Sequence, residues 1–247
     1  MAPASERVVF VDADVLAHPL IRSLLLLSSR YDVCGFVPRW SLAAEAEADR
    51  ALNKQWSRMA ARPVGAVRSR PRSVAQLRQD PVSTDWAAQV IVGPATDGEL
   101  SAMVDTSPSD RHILAAAHQA GAKVVVSQNV RDFGRADLAR LNMLVSHPDV
   151  FLSAMLPGPV YRAVLTELAA TRSREPKTPA AIWRQIGRTL PKLTSATRDE
   201  FPDVEPDPPV NAPAEVFRGS RCLLCQKTLN DPESLAAGIG PECQQKQ

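Results

Sequence analysis

The stretch "SPSDRHILAAAHQAGAKVVVSQNVRDF", Ser107 to Phe133, holds one helical run and one strand-like run, with an acid before the first and another after the second. Ser107 reads as a helix N-cap with Pro108 at the first helical position, which makes Asp110 the acid of a capping box. Ile113, Leu114 and Ala117 recur at helical spacing, and Gly121 is a C-terminal stop. Lys123 to Val126 is a short β-branched run that ends in Ser127-Gln128-Asn129, with Asp132 close behind. This is an αβ unit. The first apolar run of the chain, "RVVFVDADVL", likewise reaches an acid, Asp12, where a buried strand should end. In an open parallel sheet, strand C-termini and the N-termini of crossover helices share one edge, where ligands bind. Asp12, Asp110 and Asp132 are therefore expected to converge, and Asp110 has a second reading besides that of a cap. Three carboxylates on one edge repel one another unless a proton or a cation intervenes. Mg²⁺ takes oxygen ligands and commonly joins carboxylates to phosphate groups, which points to phosphodiester or phosphoryl chemistry.

The remainder of the chain bounds this reading. Its 247 residues suffice for one well-buried domain and an appendage, and a hydrophobic content of 45% is that of a globular protein. Aromatic residues make up only 5%, so no stacking platform for single-stranded nucleic acid is evident. The net charge of +2 is uninformative, but its distribution is not: eight basic residues and no acid lie between Arg50 and Gln79. That segment is either a solvated helix face with a loop or a phosphate-contacting surface, in which Arg68, Arg70 and Arg72 would bind nucleic acid. The first apolar run is broken at Asp12 and "LLLL", Leu24 to Leu27, is too short to span a bilayer, so no membrane segment is expected. A cytoplasmic, reducing location fits the cysteines, of which Cys34 stands alone and three cluster near the C-terminus.

Composition divides the chain into four. Residues 1–150 alternate strand-like and helical text, the pattern of an α/β domain, and 151–200 form a helical extension. Residues 201–218 are a linker rich in proline and acid, expected to be extended and flexible, and 219–247 are a small cysteine-bearing module.

"VVFVDADVL", "PRWSLAAEAEADRAL", "SDRHILAAAHQAGAKVVVSQNVRDF" and "HPDVFL" occur in this order, and together they resemble the PIN-domain nucleases, in particular bacterial VapC-like toxins. The resemblance covers roughly residues 7–200. It implies an α/β/α sandwich with a central parallel sheet, an acidic pocket that holds Mg²⁺ or Mn²⁺, an RNA substrate and a cognate antitoxin; a homodimer is compatible with it. The family's acids fall on Asp12, Glu47, Asp110 and Asp132, with Asn129 as the polar residue of its last motif. Glu45 competes with Glu47, because residues two apart face about 200° apart on a helix and only one can enter the pocket. The register from Trp40-Ser41 favours Glu47. Ser127, Ser107 and Ser109 replace residues usual in the family, which implies weaker metal binding. His112 and His118 are read as structural or solvent-facing, and Asp14 as a residue behind the ligands or a solvated turn residue.

Two other readings compete. "VVFVDAD" also fits the opening of haloacid-dehalogenase-type phosphatases, with Asp12 as nucleophile, Asp14 as acid and Ser127 in a second motif, but the usual glycine-threonine after D-x-D is missing. An inactive PIN-like scaffold that binds RNA or protein is the other, and the four acids argue against it. In the module, Cys222 and Cys225 have C-x2-C spacing and Cys243 follows a Gly238-Ile239-Gly240 turn. These three are expected to hold one structural Zn²⁺, since some thirty residues bury little core without a metal. The fourth ligand is open between Asp231, Glu242, a water and another chain. The stretch resembles a small actinobacterial zinc-binding module of unknown function.

Overall fold

A computed structural model describes residues 7–60, 73–78, 90–91, 96–171, 177–210, 213 and 215–245. The chain begins with strand β1 (Arg7–Val11), short helix α1 (Ala13–Leu16) and helix α2 (Pro19–Ser28), then β2 (Phe36–Ser41) and the long helix α3 (Leu42–Ala60). There follow α4 (Val74–Arg78), β3 (Val90–Ile91), α5 (Asp97–Ser101), α6 (Arg111–Gln119), β4 (Val124–Val126), α7 (Arg135–Leu141) and β5 (Leu144–Ser146). Helices α8 (Pro148–Met155), α9 (Gly158–Ala170), α10 (Pro179–Ile186) and α11 (Pro191–Ala196) precede β6 (Phe217–Arg218), α12 (Pro232–Ala237) and α13 (Pro241–Gln244).

The fold is α/β, as the alternating text implies. Its central sheet has the order β3-β2-β1-β4-β5-β6, parallel except that β6 runs antiparallel to β5. The chain winds from β1 through β2 to β3 in one direction and then crosses to β4 and β5 on the other side. The switch point of the topology therefore lies between β1 and β4. Val9, Phe10 and Val11 pair with Val124, Val125 and Val126, so Asp12 and Ser127 leave the sheet at the same level. The paired stretches Val9–Val11 and Val124–Val126 are fully buried runs of β-branched and aromatic residues, which is what a sheet covered on both faces requires. Helix α6 ends where the sequence predicts: Gly121 adopts φ +69° and the Ala122 N–H returns to the Ala117 carbonyl.

The segment expected to be a flexible linker is irregular but held. Phe201 stacks on Trp183 of α10 at 5.4 Å, and Asp207 accepts from the Arg184 guanidinium at 2.6 Å. The Asp207 and Val210 N–H groups bond to the Arg184 and Arg188 carbonyls. Beyond it, β6 adds to the sheet edge, and Phe217, Cys222, Leu223, Leu229 and Ile239 are buried in one core with the α/β layers. Gly238, at φ +73°, lets the chain cross the Phe217 ring, which a Cβ at that position would meet at 2.5 Å. Among the described residues no helix is long and apolar enough to cross a membrane.

Candidate functional site

Asp12 ends β1 and caps α1, its Oδ1 accepting from the Ala13 N–H at 2.6 Å while its own N–H bonds to the Val126 carbonyl on β4. The side chain is 5% exposed. Burial holds its carboxyl well above the ordinary carboxylate range, the neighbouring Asp14 and then Asp110 push in the same direction, and the Ser127 hydroxyl opposes them. A buried acid with two acidic neighbours is the arrangement that a proton or a cation relieves.

Asp14 is not the solvated turn residue that its sequence context allows. Its Oδ2 accepts from the Gln128 N–H at 2.9 Å and from the Ser127 hydroxyl at 3.3 Å, while the Gln128 amide donates to the Asp14 carbonyl. Its Oδ1 is buried with no hydrogen-bond partner, and burial first of all lifts the acid to about 6. Ser127, at the end of β4, thus stands between the two aspartates of "DAD". The Asn129 N–H turns back to the Ser127 hydroxyl at 3.0 Å, and Asn129 is exposed.

Asp110 corrects the capping-box reading. Residues 107–110 form a turn closed by the Asp110 N–H on the Ser107 carbonyl at 2.8 Å, so that Asp110 itself is the N-cap residue of α6, yet its side chain makes no capping bond. The carboxylate instead accepts from the Ser109 hydroxyl at 2.7 Å. The Ser107 N–H bonds to the Asp132 carbonyl, which ties the turn carrying Asp110 to the 3₁₀ turn Val130–Asp132. Glu45 and Glu47 separate as the helical period demands. Glu45 is buried and accepts from the Trp40 indole at 3.2 Å, whereas Glu47 is about half exposed and its Oε2 lies 3.6 Å from His112 on the first turn of α6. His112 is therefore neither purely structural nor purely solvent-facing: it touches one of the expected metal-binding acids.

Two devices carry no signal in the sequence. Asp137, 1% exposed on α7, accepts from the N–H groups of Val104, Asp105 and Thr106 and so fixes the strand of chain leading into Ser107. Arg218 on β6 donates from one nitrogen to the carbonyls of Arg131 and Phe133, at 3.1 and 2.8 Å, clasping the backbone on either side of Asp132. Neither belongs to a motif: the first looks like an ordinary first-turn acid and the second meets its partners more than eighty residues away.

Asp14 and Asp110 act on Asp12 at the switch point, the Asp14 Oδ1 is buried without a partner, and oxygen donors of this kind fit a hard divalent ion; Asp132 is tied to the Asp110 turn by its backbone carbonyl and Glu47 meets His112 on α6. Among the described residues, however, the only group of three or more ligating side chains whose atoms all lie within 4.8 Å is Cys222, Cys225 and Cys243. An ion among the acids would thus take one or two of them directly and the rest through water, as Mg²⁺ commonly does.

The cysteines meet a stricter geometry. Tetrahedral zinc with Zn–S bonds of about 2.3 Å needs sulfurs roughly 3.8 Å apart, which is compatible with the observed cluster. Burial pushes the Cys222 thiol up, but N–H groups of Cys225, Gly240 and Leu224 outweigh it and leave the thiol below its ordinary value. Cys243 is pushed up to about 11 by burial and by the two neighbouring sulfurs. Arg7, at the start of β1, donates to the carbonyls of Leu223 and Leu224 inside the C-x2-C turn, at 2.5 and 2.6 Å. The expected fourth ligands are otherwise engaged. Asp231 caps α12 by accepting from the Ser234 N–H, and Glu242 pairs with Lys227 at 2.9 Å. Arg68, Arg70 and Arg72 lie outside the described residues.

The chain belongs to the class of doubly wound α/β folds, which bind ligands at the switch point of the sheet, here the place where Asp12 and Ser127 leave adjacent strands. The chain is 29% identical over 110 residues to the protein named putative ribonuclease VapC50 of Mycobacterium tuberculosis (strain ATCC 25618 / H37Rv), covering 44% of this chain and 65% of that relative's length. This distant similarity suggests a PIN-like family. Residues 212–247 match a family described as a family of unknown function (DUF6011). No solved structure matches.

Proposed function

We propose that the chain is a metal-dependent endoribonuclease of the PIN type, acting as the toxin of a bacterial toxin–antitoxin pair in the cytoplasm. The observation that carries the reading is the convergence at the switch point: Asp12 and Ser127 leave adjacent strands at one level, and Asp110 is near enough to raise Asp12. The similarity to a protein named as a putative ribonuclease supports RNA as the substrate and a cognate antitoxin as partner. Residues 1–150 and 151–200 would form the nuclease and its helical extension, 201–218 the connection, and 219–247 a zinc module.

In this reading Asp12, Glu47, Asp110 and Asp132 hold Mg²⁺ or Mn²⁺. The ion supplies a water of lowered pKa and offsets charge on the scissile phosphate. The protein's part is positional. Ser127 holds the carboxylates of Asp12 and Asp14 in fixed orientation, Asn129 offers an amide to the phosphodiester, and Glu47 is steadied by His112. Cys222, Cys225 and Cys243 hold a structural Zn²⁺, leaving one vertex for water or another chain.

The test is cleavage of total RNA with added Mg²⁺ or Mn²⁺, mapped by end sequencing. Asp12→Asn and Asp132→Asn should each lower the rate by at least about a hundredfold, the scale on which electrostatic stabilisation of a transition state acts, without loss of fold by circular dichroism. Equal cleavage by wild type and both variants overturns the assignment. Hydrolysis of a phosphomonoester that is lost in Asp12→Asn, with RNA untouched, would mark a phosphatase instead.

A further inference from the structure

The C-terminal module does more than cover the edge of the sheet. Between it and the α/β layers lies a cleft of about 830 Å³, lined by Arg131, Arg135 and Lys192 and by Glu215, Arg218 and helix α12. Its walls carry four cations against two acids, Glu215 and Glu233. Glu215 is itself spent: it accepts from Arg218 at 2.6 Å and from Arg135 at 3.1 Å. With Glu215 shared by Arg135 and Arg218, the remaining cations are Arg131 and Lys192, both exposed and neither within ion-pair distance of an acid among the described residues, although Lys192 acts on the Asp149 carboxylate from farther away.

The position of the cleft matters as much as its sign. Arg131 is the residue before Asp132, and Arg218 grips the carbonyls on either side of Asp132. The cleft thus opens one residue from an acid of the proposed catalytic pocket. Its volume is that of a site for an extended ligand segment rather than a single ion. Phe217 is the only aromatic residue on its walls, so bases would gain little by stacking there.

We infer that this cleft between the module and the nuclease layers binds the sugar-phosphate backbone of single-stranded RNA and leads it to Asp132. The occupant is a phosphate chain because the cations are arginine and lysine, set along a cleft whose Arg131 is the chain neighbour of Asp132; a guanidinium pairs with phosphate through two parallel donors. An acidic protein would also meet these cations, but the apolar side chains on the walls, Val216, Pro232, Leu235, Ala236 and Ala237, are small or half-buried, and the one aromatic ring, Phe217, is buried in the core and offers no anchor of the kind that protein interfaces rely on. Recognition here is through the backbone and largely independent of sequence. The module acquires a role from this: it is one wall of the substrate channel, held in place by the paired strands β5 and β6 and by the Arg7 clasp on the cysteine turn. The inference rests on the ribonuclease reading for its destination, though not for the binding itself.

The experiment measures binding of a fluorescent single-stranded RNA to the full-length Asp12→Asn protein, with and without Arg131→Ser and Lys192→Ser, over a series of salt concentrations. Removing one cation that neutralises a phosphate should reduce the slope of log affinity against log salt by about 0.7. The double change should therefore reduce it by about 1.4 and weaken binding by at least about tenfold at low salt. An unchanged slope and affinity overturn the inference, as does a double variant that keeps RNA but loses an acidic protein partner. The two readings fail separately. RNA binding that depends on Arg131 and Lys192 in a protein whose wild type cuts nothing would leave the cleft standing and remove the nuclease; cleavage abolished by Asp12→Asn with binding indifferent to both cations would do the reverse.

Discussion

Asp137→Ala should unfasten the loop that presents Asp110. The carboxylate of Asp137 is almost completely buried and receives three backbone N–H groups, from Val104 at 3.2 Å, Asp105 at 3.0 Å and Thr106 at 2.8 Å. The linkage is reciprocal. Asp105 accepts from the Ala136 N–H, and the Thr106 hydroxyl accepts from the Gly134 N–H, so residues 104–106 and 134–137 are interlocked. Gly134 packs so tightly there that a Cβ would fall 2.3 Å from the Asp105 carbonyl carbon. Truncation strands three donors, each costing about 1–1.5 kcal/mol once partial rehydration of the two less buried ones is allowed, or about 3–4 kcal/mol in all. For a chain of this size that corresponds to a fall in Tm of about 6–16 °C. Urea unfolding and calorimetry of the two proteins measure it directly. The pH dependence has a definite sign. The three donors outweigh burial and hold Asp137 below its ordinary value in the folded state, so its contribution is present above the unfolded pKa of about 3.9 and is lost as pH falls through the folded one. The gap between wild type and variant should therefore narrow in acid, below about pH 4. A loss under about 1 kcal/mol at neutral pH, or one that does not diminish in acid, refutes the argument.

Glu47→Gln should lower metal-dependent cleavage by at least about tenfold, whereas Glu45→Gln should leave the rate within about twofold of wild type and instead reduce stability by about 1 kcal/mol, through its bond to the Trp40 indole; parallel rate and unfolding measurements separate the two. The full-length chain should carry about one zinc by elemental analysis, and Cys222→Ser should carry none. Arg7→Ala removes both bonds to the Leu223 and Leu224 carbonyls and should release zinc to a chelator on the order of tenfold faster than wild type, as loss of groups supporting a metal's ligands commonly does.

How much of this could be read from residue order depends on the range of the interaction that fixes each group. Asp12 and Asp132 lie where a buried β-branched run gives way to polar text, and period and composition alone locate such places. Asp110 is ambiguous because "SPSD" satisfies two local codes, a capping box and a turn. The Ser107 N–H on the Asp132 carbonyl accompanies the turn, and that bond spans a whole αβ unit. The connection between the layers and the module is legible as irregular, since proline and acid break any period, but not as immobile: Phe201 and Asp207 find their partners in the side chains of α10, which only the packed fold brings near. Long-range guanidinium contacts are the least legible of all. Arg7 looks like the polar start of a strand and Arg218 like a residue on a charged tail, yet one clasps the cysteine turn and the other the Asp132 turn. Because the two arginines bind carbonyls rather than side chains, the partner positions could carry almost any residue, and no motif at either end would mark the contact. Beside the β5–β6 pairing and the shared core, the module is thus joined to the α/β layers by a backbone recognition that side-chain patterns do not encode, and substitution of either arginine tests that part of the junction without touching a proposed metal ligand.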